Sequence, residues 1–281
     1  MLINEAAFYA SLRARGSGVF GTSLSQGQVD GINAILAECQ AQGAGLHQAA
    51  YILATGYGET GGKMQAVREN LNYSAAQIAK HFGAHRRQGL TPQQLARNPK
   101  LLGDTVYGGA WGKKNLGNTH PGDGFNFRGF WIGQFTGRRN AEKAGRDLGL
   151  YLVGNPALLD QSGLGHKLLV RWMLGGGATG RKLGEFVNAV HQDYLGARKV
   201  WGGVNASKYV GYAKAFEAAL IAGGYGSGPQ RTAPAMPSPV VPTPTDYVED
   251  DTYSAGAYNP KRPKSNVWAS LLASIAAMFR K

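Results

Sequence analysis

Two glutamates ten residues apart, Glu59 and Glu69, are the residues of this sequence best suited to paired acid and base chemistry. They stand in "GYGETGGKMQAVREN", where Gly61 and Gly62 are typical of a helix end. Hydrolysis of a glycosidic bond with inversion uses two carboxylates about 6.5–9.5 Å apart, with a water between the base and the sugar. Two glutamates joined by a short loop can meet that distance. Taken alone, the pair favours the plainer alternative, two acids that face solvent.

The elements that must position this pair are predicted to be helices, because apolar residues recur at helical spacing. One helix begins at Ser25 as its N-cap and carries an apolar face made of Val29, Ile32, Ile35, Leu36 and Cys39. A second runs from Leu46 to the Gly61-Gly62 pair and places Glu59 in its last turn. The negative end of the helix dipole disfavours a charged carboxylate there, which suits a general acid.

Helical patterns account for most of the first 225 residues, and few stretches alternate as strands do. Further helices are predicted for six segments: the N-terminal "MLINEAAFYASLRARG", "TPQQLARN", "GRRNAEKAGRDLGL", "HKLLVRWML", "EFVNAVH" and "YVGYAKAFEAALIAGG". Long glycine-rich loops are expected above all from about 105 to 137. The predicted class is therefore mainly α.

The composition predicts three parts. Residues 1–226 form the globular domain, and residues 227–265 are rich in Pro, Ser and Thr, which is typical of a disordered linker. Residues 266–281 ("NVWASLLASIAAMFRK") carry one apolar stripe with basic residues at both ends, an amphipathic helix too short to span a bilayer. This helix either packs on its own domain or a partner chain, or lies on an anionic membrane surface.

Charge and cysteine content limit the function classes. Residues 227–281 hold six basic and four acidic residues, a net of +2, so +11 of the total +13 lies in residues 1–226. Such a body favours a polyanionic partner, yet no nucleic-acid-binding motif is present, and no nucleic acid is expected. Cys39 is the single cysteine, so an intrachain disulfide is excluded. The N-terminus does not match a secretion signal.

Three ordered stretches resemble the family-nineteen glycoside hydrolases, with the closest likeness to bacteriophage lysozymes (endolysins). They are "GETGGKMQAVRENLNYSA", the segment from "VYGGAWGKKN" to "YLVGNPALL", and "ARKVWGGVN", within residues 46–225. The resemblance implies a lysozyme-like, two-lobed helical domain that cleaves β-1,4 links between amino sugars with inversion. It implies no metal and no cofactor.

The resemblance also assigns residues by position. Glu59 matches the family's general acid, and Glu69 falls near its second glutamate. Thr136, with Gln134, matches the motif that holds the sugar and the attacking water, while Tyr73 and Arg128 would line or support the cleft.

The sequence departs from the family pattern at three places. Gly58 replaces the usual His, Phe130-Trp131 replaces Arg-Gly, and Trp201 replaces a substrate-binding Asn. Trp131 and Trp201 would either stack on sugar rings or fill the cleft.

The expected function is a peptidoglycan hydrolase of the endolysin type. It would be made in the host cytoplasm and act at the bacterial cell wall, released at lysis or carried in the virion. The alternatives are a virion-associated structural or wall-binding protein with little turnover, and a chitinase. Peptidoglycan is the expected partner, and residues 266–281 would contact an anionic membrane or other virion proteins.

Overall fold

The computed structural model describes residues 3–226, which form a mainly α-helical domain. In this range the α-helices, numbered along the chain, are α1 (Glu5–Arg13), α2 (Gln26–Ala41), α3 (Leu46–Glu59), α4 (Ala75–His81), α5 (Pro92–Leu95), α6 (Pro99–Val106), α7 (Gly109–Leu116), α8 (Asp123–Asn126), α9 (Arg138–Leu148), α10 (Ser162–Gly175), α11 (Arg198–Trp201) and α12 (Ala206–Ala222). Short 3₁₀ helices cover Arg15–Ser17, Ala84–Arg86, Pro156–Asp160 and Leu183–Glu185. Extended pairing within residues 3–226 is limited to two isolated bridges, Phe130 with Phe135 and Val187 with Gln192. The predicted mainly α class is confirmed.

Two hydrophobic cores divide the domain into a large and a small lobe. The large lobe is built on α1, α2, α3, α9, α10 and α12, with Phe8, Ile35, Leu53, Leu169 and Phe216 in its core. The small lobe is built around α4 and α6, and its core contains Leu71, Ile78, Leu102, Val106 and Tyr107. The longer helices bury apolar residues in one of these two cores, which is a two-lobed helical arrangement of the kind that the resemblance implies.

The helices that carry the first glutamate form as predicted. Ser25 caps α2, because its hydroxyl accepts a hydrogen bond from the Gln28 amide while the Gln28 side chain returns to the Ser25 amide. Helix α3 packs along α12 and is buried from Ala49 to Gly56. It ends at Glu59, because Gly61 and Gly62 adopt left-handed φ angles of 59° and 82°.

The loop between Glu59 and Glu69 is fixed to the large lobe. The side-chain Nε2 of Gln28 donates to the Gly62 carbonyl at 2.9 Å, and Thr60 Oγ1 accepts from the Met64 backbone amide at 2.8 Å. The buried His166 places Nε2 2.8 Å from the Met64 carbonyl oxygen. A short, anchored loop therefore holds the second glutamate relative to the first.

Gly31 of α2 is required for this anchoring, and we expect Gly31→Ala to destabilise the fold. A Cβ atom at Gly31 would lie 1.9 Å from the Met64 carbonyl oxygen, so the backbone must shift, at a cost of about 1–3 kcal/mol or more. Gly27 on the same helix is the matched control, since a Cβ there meets only Gln65 at 3.5 Å. Urea unfolding should show a loss for Gly31→Ala and no loss for Gly27→Ala. Equal stability of the two variants would contradict this packing.

Two sequence predictions about secondary structure are wrong. The segment from about 105 to 137 is not one long loop, because α7 and α8 lie inside it. The "EFVNAVH" segment is not a helix: a 3₁₀ turn ends at Glu185, and the Val187–Gln192 bridge follows. The Asn188 side chain accepts from the Val190 and His191 amides, a local turn that competes with a helix.

The predicted linker at 227–265 and the predicted amphipathic helix at 266–281 lie outside the described residues. Among the helices between residues 3 and 226, none combines the length and the apolar run needed to cross a bilayer.

Candidate active site

Glu59, the last residue of α3, is held by two side chains from the C-terminal part of the domain. Arg198 Nη2 donates to Glu59 Oε1 at 2.7 Å, and the Tyr209 hydroxyl donates to the same oxygen at 2.9 Å. The side chains of this ion pair are only 8% and 10% exposed for Arg198 and Glu59. The Arg198 guanidinium also lies over the Tyr209 ring, 3.9 Å from its centroid. One carboxylate oxygen is therefore fixed by a charged and a neutral donor.

Tyr209 explains why glycine occupies position 58. A Cβ atom at Gly58 would lie 2.3 Å from the Tyr209 ring, so α12 fills the space in which a side chain at position 58 would lie. The resemblance places a histidine at this position, whereas the polar contacts of Glu59 in this structure come from the Tyr209 hydroxyl and Arg198.

We expect Gly58→Ala to displace Tyr209 and to lower the free energy of unfolding by about 1–3 kcal/mol. A double-mutant cycle with Tyr209→Ala measures the coupling. In the Tyr209→Ala background the cost of Gly58→Ala should largely disappear, because the ring that causes the overlap is gone. Additive costs would contradict the contact.

Glu69 lies where the two lobes meet and is held by three donors. Tyr107 of the small lobe donates to both carboxylate oxygens, at 3.1 and 2.9 Å. The Tyr73 hydroxyl donates to Oε1 at 3.2 Å, and the Gly129 amide donates to Oε2 at 3.3 Å. Glu69 also pairs by its own amide with the Gly129 carbonyl at 2.8 Å. The side chain is thereby oriented from both sides.

The electrostatic surroundings of Glu69 differ from those of Glu59. Burial raises the pKa of the Glu69 carboxyl, while the Tyr107 hydroxyl, the Gly129 amide, the Tyr73 hydroxyl and the charge of Arg86 act to lower it. Burial is the largest of these effects, and the net direction is upward. The two glutamates thus have different partners: an arginine contacts one, and neutral donors surround the other.

Arg128 supports Glu69 through the backbone. Its Nε donates to the Glu69 carbonyl at 2.7 Å, its Nη1 donates to the Phe125 carbonyl at 2.9 Å, and its guanidinium lies 4.1 Å from the centre of the Phe125 ring. The structure therefore places Arg128 beside Glu69, and its part in lining or supporting a cleft stays a prediction.

Gln134 lies in the tight turn that the Phe130–Phe135 bridge closes, and Thr136 follows that turn directly. The side-chain Nε2 of Gln134 donates to the carbonyls of Val67 and Trp131, both at 2.9 Å, and the side-chain Oε1 faces Gly129. The Thr136 hydroxyl is buried and donates to the Gln134 carbonyl at 3.3 Å. Gln134 thus binds the turn to the segment that carries Glu69, while the Thr136 hydroxyl bonds back to the turn. The contacts of both residues to sugar and water remain predictions.

Trp131 and Trp201 are core residues in this structure. Trp131 is 1% exposed and packs edge-on against Phe130, while Trp201 is 4% exposed and packs against Phe135. Stacking on a sugar requires an open ring face. Of the two alternatives left by the sequence, the structure therefore favours filling of the interior.

Three side chains of the site were missed in the sequence. Arg198 and Tyr209 hold Glu59, and Tyr107 holds Glu69, from positions 38 to 150 residues away along the chain. Tyr107 and Arg198 lie inside the stretches that carry the family resemblance. That position was the feature of the sequence from which they could have been chosen as site residues. Within residues 3–226 no group of three His, Cys, Asp or Glu side chains is placed to hold a metal ion.

Comparison with known proteins finds a likeness between part of this chain and one glycosyl hydrolase family 19 domain-containing protein. Over 95 residues, 34% of the chain, the sequence is 32% identical to a glycosyl hydrolase family 19 domain-containing protein of Haemophilus influenzae. The chain is similar to a family 19 protein. The match covers 45% of that protein, so the chain spans about half the length of the relative it matches. No protein-family model matches the chain.

Proposed function

We propose that this protein is a peptidoglycan hydrolase of the lysozyme type, which cleaves β-1,4 glycosidic bonds of the bacterial cell wall with inversion. The observation that carries the proposal is the pair of oriented carboxylates, one at the end of α3 and one between the lobes. One carboxylate lies beside an arginine and the other among neutral donors, and inverting hydrolysis gives its two carboxylates different roles.

Glu59 is proposed as the general acid. Both donors, Arg198 and Tyr209, end on Oε1. A proton on Oε2 would then be the one delivered to the leaving glycosidic oxygen, while Oε1 stays fixed. The rigid end of α3 would hold this carboxyl against the scissile bond.

Glu69 is proposed as the general base. Its donors satisfy the charged form, and its raised pKa makes it a stronger base than a solvent-exposed glutamate. A water held between Glu69 and the sugar would lose a proton to it, with Thr136 as the proposed orienting hydroxyl. Gln134 and Tyr73 would position the sugar and the base.

Peptidoglycan of the bacterial cell wall is the proposed substrate for two reasons: the positive net charge of the domain, and the sequence resemblance to phage lysozymes. The +11 of residues 1–226 suits the carboxylates of peptidoglycan stem peptides. In this proposal the protein acts at the cell wall. Residues 266–281 would assist at an anionic membrane or tether the domain to other virion proteins.

Parallel digestion of purified peptidoglycan and chitin oligomers, followed by a reducing-sugar assay, tests the proposal. We expect new reducing ends from peptidoglycan and a much lower rate on chitin. Turnover of chitin alone would instead favour the chitinase. Binding to the wall without new reducing ends would favour the virion-associated structural protein, for which the replaced histidine and asparagine are the supporting observations.

A further inference from the structure

Arg86 is a buried cation enclosed by aromatic rings in the small lobe. Arg86 is the last residue of the 3₁₀ helix Ala84–Arg86, and it is 8% exposed. The guanidinium carbon lies 4.2 Å from the centre of the Trp111 ring and 5.1 Å from those of Phe82 and Tyr107. Nε donates to the Val106 carbonyl at 3.1 Å. Cation–π contacts and one hydrogen bond therefore hold the group in place.

The three aromatic rings supply cation–π contacts to the charge at position 86, but not an anionic partner. Nη2 of Arg86 is buried and has no hydrogen-bond partner within residues 3–226, and no carboxylate of that range lies within 4.0 Å of the guanidinium. A buried charge without a contact partner is costly, and an apolar side chain of similar length would fill the same space. The charge therefore calls for a role other than packing.

The carboxylate that acts on Arg86 electrostatically is Glu69, and Tyr107 stands between them. One face of the Tyr107 ring receives the guanidinium, while the hydroxyl donates to both oxygens of Glu69. A cation next to the phenol strengthens the phenol as a hydrogen-bond donor.

We propose that Arg86 is a positioning residue that, through Tyr107, holds Glu69 in its charged and oriented form and so sets the acidic limit of activity. This inference rests on the proposed function of Glu69 as the base. Arg86 itself lies behind Tyr107 and contacts neither Glu69 nor the substrate in the role assigned to it.

The other groups around Glu69 are consistent with this assignment. Tyr73 donates to Oε1, the Gly129 amide donates to Oε2, and Arg128 contacts the Glu69 backbone and contributes a second positive field. His81 lies one step further out, against the Tyr73 ring. Burial and the neighbouring Glu69 raise the pKa of Tyr107 well above its ordinary value, so Tyr107 remains a proton donor through the working range.

The test is the pH profile of Arg86→Met on peptidoglycan, with the full chain. We expect the rate at acidic pH to fall by roughly 3- to 10-fold relative to wild type, while the rate at the pH optimum stays within about twofold. Arg86→Lys, which keeps the charge, should restore most of the acidic rate. Lys114→Met removes an equal charge from the exposed surface of α7 and should leave the profile unchanged.

A direct titration separates this inference from the proposed function. Carboxyl NMR of Glu69 reports its protonation whether or not the protein turns over peptidoglycan. An upward shift of the Glu69 pKa in Arg86→Met supports the inference even if no substrate is cleaved. An unchanged Glu69 titration in folded Arg86→Met, or an equal rate loss at all pH values, would overturn it.

Discussion

Glu59→Gln is expected to reduce peptidoglycan cleavage by roughly 10³-fold, because the variant has no proton to give to the leaving oxygen. The glutamine side-chain oxygen can still accept hydrogen bonds from Arg198 and Tyr209, so both hydrogen bonds at this position can be kept. The assay follows new reducing ends on purified peptidoglycan. An aryl glycoside, whose leaving group needs no protonation, should lose far less activity in the same variant.

The fold must be checked in the same experiment. Arg198 is buried and loses its anionic partner in this variant, so a lower thermal transition is expected. The assay temperature is therefore kept below that transition, with the folded state verified by circular dichroism. Glu142→Gln, at an exposed position of α9, is the matched control and should retain full activity. Full activity in folded Glu59→Gln would remove Glu59 from the mechanism.

Glu69→Gln is expected to lose a similar factor, about 10²- to 10⁴-fold, because no group then takes the proton from the attacking water. Azide, a small anion that needs no base, should restore part of the turnover in this variant and none in Glu59→Gln. The opposite pattern, azide rescue of Glu59→Gln and retained aryl-glycoside turnover in Glu69→Gln, would exchange the two assigned roles.

Glu69→Gln is also expected to change the free energy of unfolding, and the direction of the change follows from the raised pKa of Glu69. The pKa of Glu69 is raised in the folded protein, so burying its charged form costs free energy above the ordinary glutamate pKa. Glu69→Gln should therefore be more stable than wild type at neutral pH. The difference should shrink as the pH falls from the raised pKa of folded Glu69 to the ordinary glutamate pKa, and it should stay constant below that value. Chemical unfolding at several pH values measures it, and a difference that grows toward low pH would contradict the raised pKa.

The helices were predictable where local chemistry determines them. The Ser25 cap, the apolar face of α2 and the glycines after Glu59 all lie within one segment of chain, and the structure follows them. Helix α6 was missed although Asn98 caps it and Pro99 begins it, because its apolar pattern covers only eight residues. The "EFVNAVH" segment failed for the opposite reason: its helical spacing was outweighed by the turn that Asn188 makes.

The candidate site was predictable only in part, because its contacts join distant segments. The spacing of Glu59 and Glu69 suggested a pair, but the spacing gives no information about Tyr209, 150 residues beyond Glu59, or about Arg198. From the sequence, Gly58 is a departure from the family pattern with no evident reason. The structure supplies the reason, because Tyr209 of α12 packs against this position. Burial of the two tryptophans likewise depends on packing in the core of the large lobe, which brings together distant segments and which no local pattern reports.

The most direct test of the central claim is proton NMR of peptidoglycan fragments during the first minutes of digestion. Two carboxylates that activate a water on the face opposite the leaving group must give a product of inverted configuration. We predict new reducing ends that appear first as the α-anomer and then equilibrate. First appearance of the β-anomer, or no new reducing ends with folded wild-type protein, would contradict it.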